Sequence, residues 1–170
     1  MSLRHRHRDD DKIRFRMQTR LLSVGDDSWI EDGHGDRAYL VDGKALRLRD
    51  TWVLKDVHHH EVAVIKERAI SIRDAITVES GDVKATVKKA LVGIRDRYVI
   101  EVHDGHDMKA HGNIVDHEYE IEGEHGTVAT ISKRWFRVRD TYGVEVADDV
   151  DPALVLALTV AIDALASHRS

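Results

Sequence analysis

Apolar and polar residues alternate in short runs along most of this chain. Segments rich in Val, Ile, Thr, Trp and Tyr are broken by Gly, Asp and His, which is the pattern of β-strands separated by turns. Four segments share a frame that opens on Ala and closes on Arg-Asp: Ala38 to Asp50, Ala63 to Asp74, Ala85 to Asp96 and Ala129 to Asp140. The closing Asp residues are 24, 22 and 44 apart, so a degenerate copy is expected near residues 103–118. A period of this size marks a repeated supersecondary unit. Ala63 and Ile65 are odd-numbered, whereas Ile70 and Ile72 are even-numbered. The same change of parity separates Ala85/Val87 from Val92/Ile94, and Ala129/Ile131 from Phe136/Val138. Side chains alternate along a strand, so the change predicts a bulge or corner, near Lys66–Ala69 in the second copy. Each copy reads as strand, turn and bulged strand. Asp50, Asp74, Asp96 and Asp140 would each open a tight turn by bonding the backbone two residues on. Ten to twelve antiparallel strands result, and so many in one domain close on themselves to remove their edges.

The pattern changes at the only proline. Asp151 suits a helix N-cap and Pro152 the first helical position. The run Ala153–Ala166 is apolar on every side, broken only by Thr159 and Asp163, which predicts a helix over 151–168. Fourteen such residues are too few for a bilayer, which needs about 20. A helix apolar all round then belongs inside a core, here the barrel. Burying six of its aliphatic side chains is worth roughly 10 kcal/mol before entropy is subtracted. Helical spacing places Thr159, Asp163 and Ser167 in one thin polar stripe. Asp163 is expected to be structural, accepting bonds from an inward Arg, Lys or backbone amide. The alternative is a polar site at the barrel mouth.

Composition adds limits. The 170 residues fit one domain, and no cysteine is present for a disulfide, a thiolate nucleophile or a Cys-based zinc site. The net charge of −5 is uneven, at +4 over residues 1–20 and −9 over the rest. Residues 1–12 read as a flexible basic and acidic arm, and 13–170 as a single barrel domain. A basic arm can touch nucleic acid or anionic lipid. The N-terminus lacks the apolar stretch of a signal peptide. A cytoplasmic protein, peripheral at a membrane at most, is expected.

No catalytic motif is visible. His58, His59 and His60 are consecutive and cannot all face one ion from an extended chain. His103, His106, His111 and His117 match no tight zinc spacing, so no metal or other cofactor is expected. Read as a strand, Asp116-His117-Glu118-Tyr119-Glu120 places His117 and Tyr119 on one face and the three acids on the other, which separates the imidazole from a carboxylate. No Gly-rich phosphate loop or nucleophile elbow occurs. The cations are more suggestive. Arg49, Arg73, Arg95 and Arg139 should point outward at equivalent repeat positions, with Lys66, Lys88, Lys89, Lys133 and Arg134 near the bulges. Lys88, Lys89, Arg95, Lys133, Arg134 and Arg139 are the candidate anion-binding residues. Cross-strand pairing with Asp and Glu is the plainer use of the same side chains.

Val41-Asp42-Gly43-Lys44-Ala45, Asp116-His117-Glu118-Tyr119-Glu120, Ser132-Lys133-Arg134-Trp135-Phe136, Asp140-Thr141-Tyr142-Gly143-Val144 and the helix around Ala161-Ile162-Asp163 resemble the LURP-one-related family, over roughly residues 13–168. That family belongs with the tubby C-terminal-like and phospholipid scramblase-like proteins. The resemblance implies a closed barrel of about twelve strands threaded by a hydrophobic helix. It brings no catalytic residue. Tubby domains bind phosphoinositides, and scramblase-like members act at membranes. The palmitoylated cysteine cluster and Pro-rich arm of the scramblases are absent here. Three classes of function remain: a non-enzymatic binding module for an anionic phospholipid or another phosphorylated ligand, an interaction scaffold with a protein partner, and an enzyme of unrecognised type. The first two are favoured, and nucleic acid is not an expected partner.

Overall fold

A computed structural model describes residues 12–19, 27–43, 51–68, 75–90 and 97–167. Twelve strands form one closed antiparallel barrel in which each strand pairs with its neighbours in sequence. They are β1 (Ile13–Gln18), β2 (Ser28–Asp32), β3 (Arg37–Asp42), β4 (Thr51–Asp56), β5 (Glu61–Arg68), β6 (Ala75–Ser80), β7 (Val83–Lys89), β8 (Arg97–Val102), β9 (Met108–Asn113), β10 (Glu118–Gly123), β11 (Gly126–Ser132) and β12 (Thr141–Val146). Pairing of β1 with β12, from Ile13 opposite Val146 to Gln18 opposite Thr141, closes the circle. Closure leaves no strand edge open.

One helix, α1 (Pro152–Ser167), fills the barrel. The Asp151 carboxylate caps it by accepting from the Ala153 amide at 3.0 Å, as its sequence signal predicts. Leu154, Val155, Leu156, Leu158, Val160 and Ile162 are all buried, and the helix lies against β5, β6, β7 and β12. Inward residues alternate along each strand, for example Ala85 and Val87, or Tyr119 and Ile121. No helix among the described residues is long and apolar enough to cross a membrane.

The repeated frame opens on an odd strand and closes just before the next even one, so one period corresponds to one hairpin. Its opening alanines fall on the odd strands β3, β5, β7 and β11, and Ala110 on β9 marks the degenerate copy. Ala63, Ala85, Ala110 and Ala129 are all buried. They sit near the starts of their strands, giving a layer of small side chains at the end where α1 enters.

Two expectations are corrected. First, β5 pairs with β6 without a slip from Ala63 to Arg68, and Lys88 and Lys89 pair regularly with β8, so no bulge lies at Lys66–Arg68 or at Lys88–Lys89. The register shifts instead at Ile30/Glu31, Leu54/Lys55 and Ile121/Glu122. In each case the extra, unpaired residue is on the odd strand, Ala38, Val62 or Val128, within a few residues of the turn that opens that strand. Second, residues 133–140 form turns and bends, not a strand, and Val138 is exposed. Trp135 and Phe136 fold onto the outside of the wall over Gly143, where a Cβ would stand 2.6 Å from Trp135 Cε3 and 3.0 Å from Phe136 Cε2. Arg14 lies 5.1 Å over the Trp135 ring and Arg16 lies 5.8 Å over Phe136, which holds this connection against β1. Residues 70, 72, 92 and 94, the arm over 1–11, and Arg49, Arg73 and Arg95 fall outside the described residues.

Candidate functional site

Odd strands run one way and even strands the other, so every odd strand ends at the same mouth of the barrel. At that mouth α1 also ends, because it follows β12 and runs back through the interior. Two connections there are fully described, residues 114–117 between β9 and β10 and residues 133–140 between β11 and β12.

The first connection is a tight turn. Asn113 Nδ2 donates to Asp116 Oδ2 at 2.7 Å, the Asp116 amide donates to Asn113 Oδ1 at 3.1 Å, and the His117 amide donates to the Ile114 carbonyl at 3.1 Å. His117 has φ +53°, so it precedes the strand instead of lying within it. The left-handed backbone turns its ring inward, where it stacks on Tyr142 at 4.2 Å. Val115 is left exposed at the tip.

The second connection leaves β11 under the control of Glu118. Its carboxylate accepts from Ser132 Oγ at 2.9 and 3.0 Å and from the Lys133 amide at 3.0 Å. The following residues carry Lys133, Arg134, Arg137 and Arg139, all exposed, with the exposed Val138 between the last two. Arg134 stands 3.9 Å from Glu118. Lys133, Arg137 and Arg139 have no carboxylate within ion-pair distance among the described residues.

Beneath these connections the helix ends in a polar cluster. Tyr142 donates to Asp163 Oδ2 at 2.5 Å, and His117 Nε2 lies 3.5 Å from Asp163 Oδ1. The expected donor was an Arg, a Lys or a backbone amide. The barrel supplies a phenol because its inward positions at this mouth include Tyr98, Tyr119 and Tyr142, large enough to reach the helix and neutral enough to be buried. Burial, reinforced by the Asp163 charge, pushes both the Tyr119 and Tyr142 hydroxyls well above the usual phenol range. The Tyr119 hydroxyl faces Thr159 without a hydrogen bond of good geometry, and the Thr159 hydroxyl donates to the Val155 carbonyl at 2.9 Å. Ser167 Oγ donates to the Asp163 carbonyl at 2.8 Å. The expected stripe of Thr159, Asp163 and Ser167 therefore exists, and only Asp163 sends its side chain across to the wall. The expectation that His117 would be kept from carboxylates holds within its own segment but not in space, because its partner comes from the helix.

The six candidate cations are not brought together as one group. Lys133, Arg134 and Arg139 share the exposed connection. Lys88 is paired on the outer wall with Glu101 at 2.8 Å, and the Lys89 ammonium is withdrawn from solvent. Arg95 lies outside the described residues. Arg137, which was not among the candidates, joins the group. It lies on the same exposed connection, two residues before Arg139.

A closed antiparallel barrel of twelve strands around one apolar helix, with a basic connection at the mouth where the helix ends, defines the class of this protein. A family model described as LURP-one-related matches residues 13–163, and the chain belongs to that family. It is 20% identical over 152 residues to the uncharacterized protein YxjI of Bacillus subtilis (strain 168), covering 89% of this chain and 92% of that one. It is also similar to an Arabidopsis thaliana protein of known X-ray structure, with a TM-score of 0.65 and 18% identity over 91% of each chain. That likeness concerns the fold.

Proposed function

We propose that this protein is a non-enzymatic binding module for an anionic, phosphate-bearing ligand, engaged at the mouth where the helix ends. One observation carries the reading. Lys133, Arg137 and Arg139 sit uncompensated beside the exposed Val138 on a connection that Glu118, Arg14 and Arg16 hold in place. Elsewhere on the barrel, the plainer use of cations prevails. Lys12 and Arg14 hold Glu145 at 3.0 and 2.8 Å, Arg16 holds Glu31, and Lys55 holds Asp42 at 2.8 Å. Guanidinium groups free of carboxylates are suited to bidentate phosphate contacts. An adjoining apolar residue suits a surface that is charged outside and apolar beneath.

A phosphate can come from a lipid head group or from a soluble molecule. Sedimentation with phosphatidylcholine vesicles, with and without phosphatidylserine or phosphatidylinositol bisphosphate, tests the first source. Titration with inositol hexakisphosphate tests the second. Binding to the anionic vesicles should fall steeply between low and high salt, as the Debye length shrinks from about 10 Å at 0.1 M to about 3 Å at 1 M. Binding of the soluble phosphate alone would assign a soluble ligand. No binding to either at low salt would remove the proposal.

A further inference from the structure

We propose that His111, Glu120 and Glu122 form a binding site for a divalent transition-metal ion of the zinc type on the outer wall of the barrel, separate from the basic mouth. The site follows from strand pairing. Glu120 stands directly opposite His111 in the β9–β10 ladder, and Glu122, two residues further along β10, returns to the same face. Ala110 and Ile121, their neighbours in sequence, point inward and are buried, so the three polar side chains point outward. One ligand atom from each lies within 4.8 Å of the others, and all three residues are half-buried.

Two features set this group apart from an ordinary surface ion pair. His111 Nε2 is shielded from solvent and makes no hydrogen bond, although Glu122 Oε1 is only 3.1 Å away. The pair has the separation of two ligands on one ion without the alignment of a donor and its acceptor. An open cleft of about 310 Å³, lined by His111, Gly112, Glu118, Glu120 and Thr130 among others, adjoins the group and has room for the water that completes a coordination shell. Two ligands at about 2.1 Å from a zinc ion stand at most about 4.2 Å apart, so small side-chain rotations bring the three donors into range. One imidazole and two carboxylates suit zinc and its borderline neighbours better than calcium, which prefers six or more oxygens. The nearby charges are mixed. Lys109 Nζ stands 3.7 Å from Glu122 Oε2, and Arg97 is opposite His111 in the β8–β9 ladder. An arriving ion would take Glu122 from Lys109, whose amine is exposed and can return to water.

The test uses the full chain and zinc alone, by competition against a chromophoric chelator, with cobalt absorption as a second readout. The arm and the His58-His59-His60 turn also carry imidazoles, so the comparison is between variants. His111→Asn and, separately, Glu120→Gln with Glu122→Gln should each abolish one zinc equivalent or weaken it at least tenfold, and remove the cobalt bands assigned to it. His58→Asn with His60→Asn should leave that equivalent intact. These are outer-wall changes, and circular dichroism checks that each variant is folded. Glu122→Gln alone serves if the double variant is not. If His111→Asn and the folded Glu variants bind as many ions as tightly as the unaltered chain, or if the tight equivalent disappears in the His58/His60 variant, the proposal is overturned.

Discussion

The two mouths of the barrel are built to different rules. Where α1 enters, strands are joined by short, self-bonded turns. Asp32 Oδ1 accepts from the His34 and Asp36 amides at 2.9 and 3.0 Å, and Asp56 Oδ1 accepts from the His58 and His60 amides at 2.8 and 2.9 Å. The spacing is identical, and the left-handed position is filled by Gly35 in one turn and His59 in the other. Consecutive histidines are thus explained as a turn that copies its neighbour. Where α1 leaves, residues 114–117 again make a self-bonded turn, but the longer connection over 133–140 is held by side chains from distant segments. Glu118 grips the start of residues 133–140, Arg14 and Arg16 cover its aromatic residues, and Thr19 bonds the Asp140 carbonyl through both amide and hydroxyl at 2.8 and 3.1 Å. Local turns fix register and leave little freedom. Connections held from elsewhere can change sequence without disturbing the ladder, and that is where binding groups are usually found.

The interior is shared by both mouths, and removing it should have the largest effect. Deleting residues 151–170 takes out six buried aliphatic side chains worth roughly 10 kcal/mol, comparable to the whole stability of a domain. The truncated chain should lose its cooperative thermal transition and near-ultraviolet dichroism. Retention of both would show that the wall stands without its filling. Next come changes confined to the exit mouth. Gly143→Ala drives a Cβ into Trp135 and Phe136, and should cost about 1–3 kcal/mol by overpacking while shifting tryptophan emission. Tyr142→Phe leaves Asp163 without its buried donor and should cost about 1–3 kcal/mol in urea unfolding. Asp163→Asn should cost less than Asp163→Ala, because the amide oxygen still accepts.

The same tyrosines predict a dependence on pH. Their folded pKa values are raised above the unfolded value of about 10, so the folded state holds protons that the unfolded chain gives up. Stability from this source is fully present below pH of about 10 and is lost as pH rises from there toward the folded values, by about 1.4 kcal/mol per unit for each tyrosine. Tyr142→Phe should flatten that alkaline slope, and an unchanged slope would contradict the assignment. The smallest effect belongs to the entry mouth. Hydrogen bonds from backbone amides hold the Asp32 and Asp56 carboxyls below their usual range. Their contribution is present above the ordinary carboxyl pKa and is lost as pH falls through the lowered value. Asp56→Ala should speed amide exchange at His58 and His60 and leave the Asp32 turn unaltered.

How much of this was legible in the sequence depends on whether the relation was local. The helix, its Asp151 cap and the hairpin repeat are written in periodicity, and all are found. The parity change read in three copies says only that the face changes, not where, and in the second and third copies its far side lies outside the described residues. The bulges lie beside the turns at Asp32, Asp56 and Gly126, and in the last copy Phe136 and Val138 are not in a strand at all. Reading Asp116–Glu120 as continuous strand missed the left-handed His117, and with it the contact to Asp163. Sequence spacing could not show that residues 117, 142 and 163 converge, nor that His111 meets Glu120 and Glu122, because register and closure make those contacts. Lys133, Arg134 and Arg139 were legible as cations, whereas the pairing that occupies Lys88 needed β8 beside β7.

The functional difference between the mouths is tested most directly by removing charge at each in turn and measuring anionic vesicle binding at low salt. Lys133→Gln, Arg134→Gln, Arg137→Gln and Arg139→Gln together alter the exit mouth. Lys55→Gln, Lys84→Gln and Lys109→Gln together alter cations toward the entry mouth, each beside a carboxylate. The first set should abolish binding or weaken it at least tenfold, and the second should leave it within about twofold, because a rim charge already paired contributes little. Equal losses from both sets, or a loss from the second alone, would contradict the account.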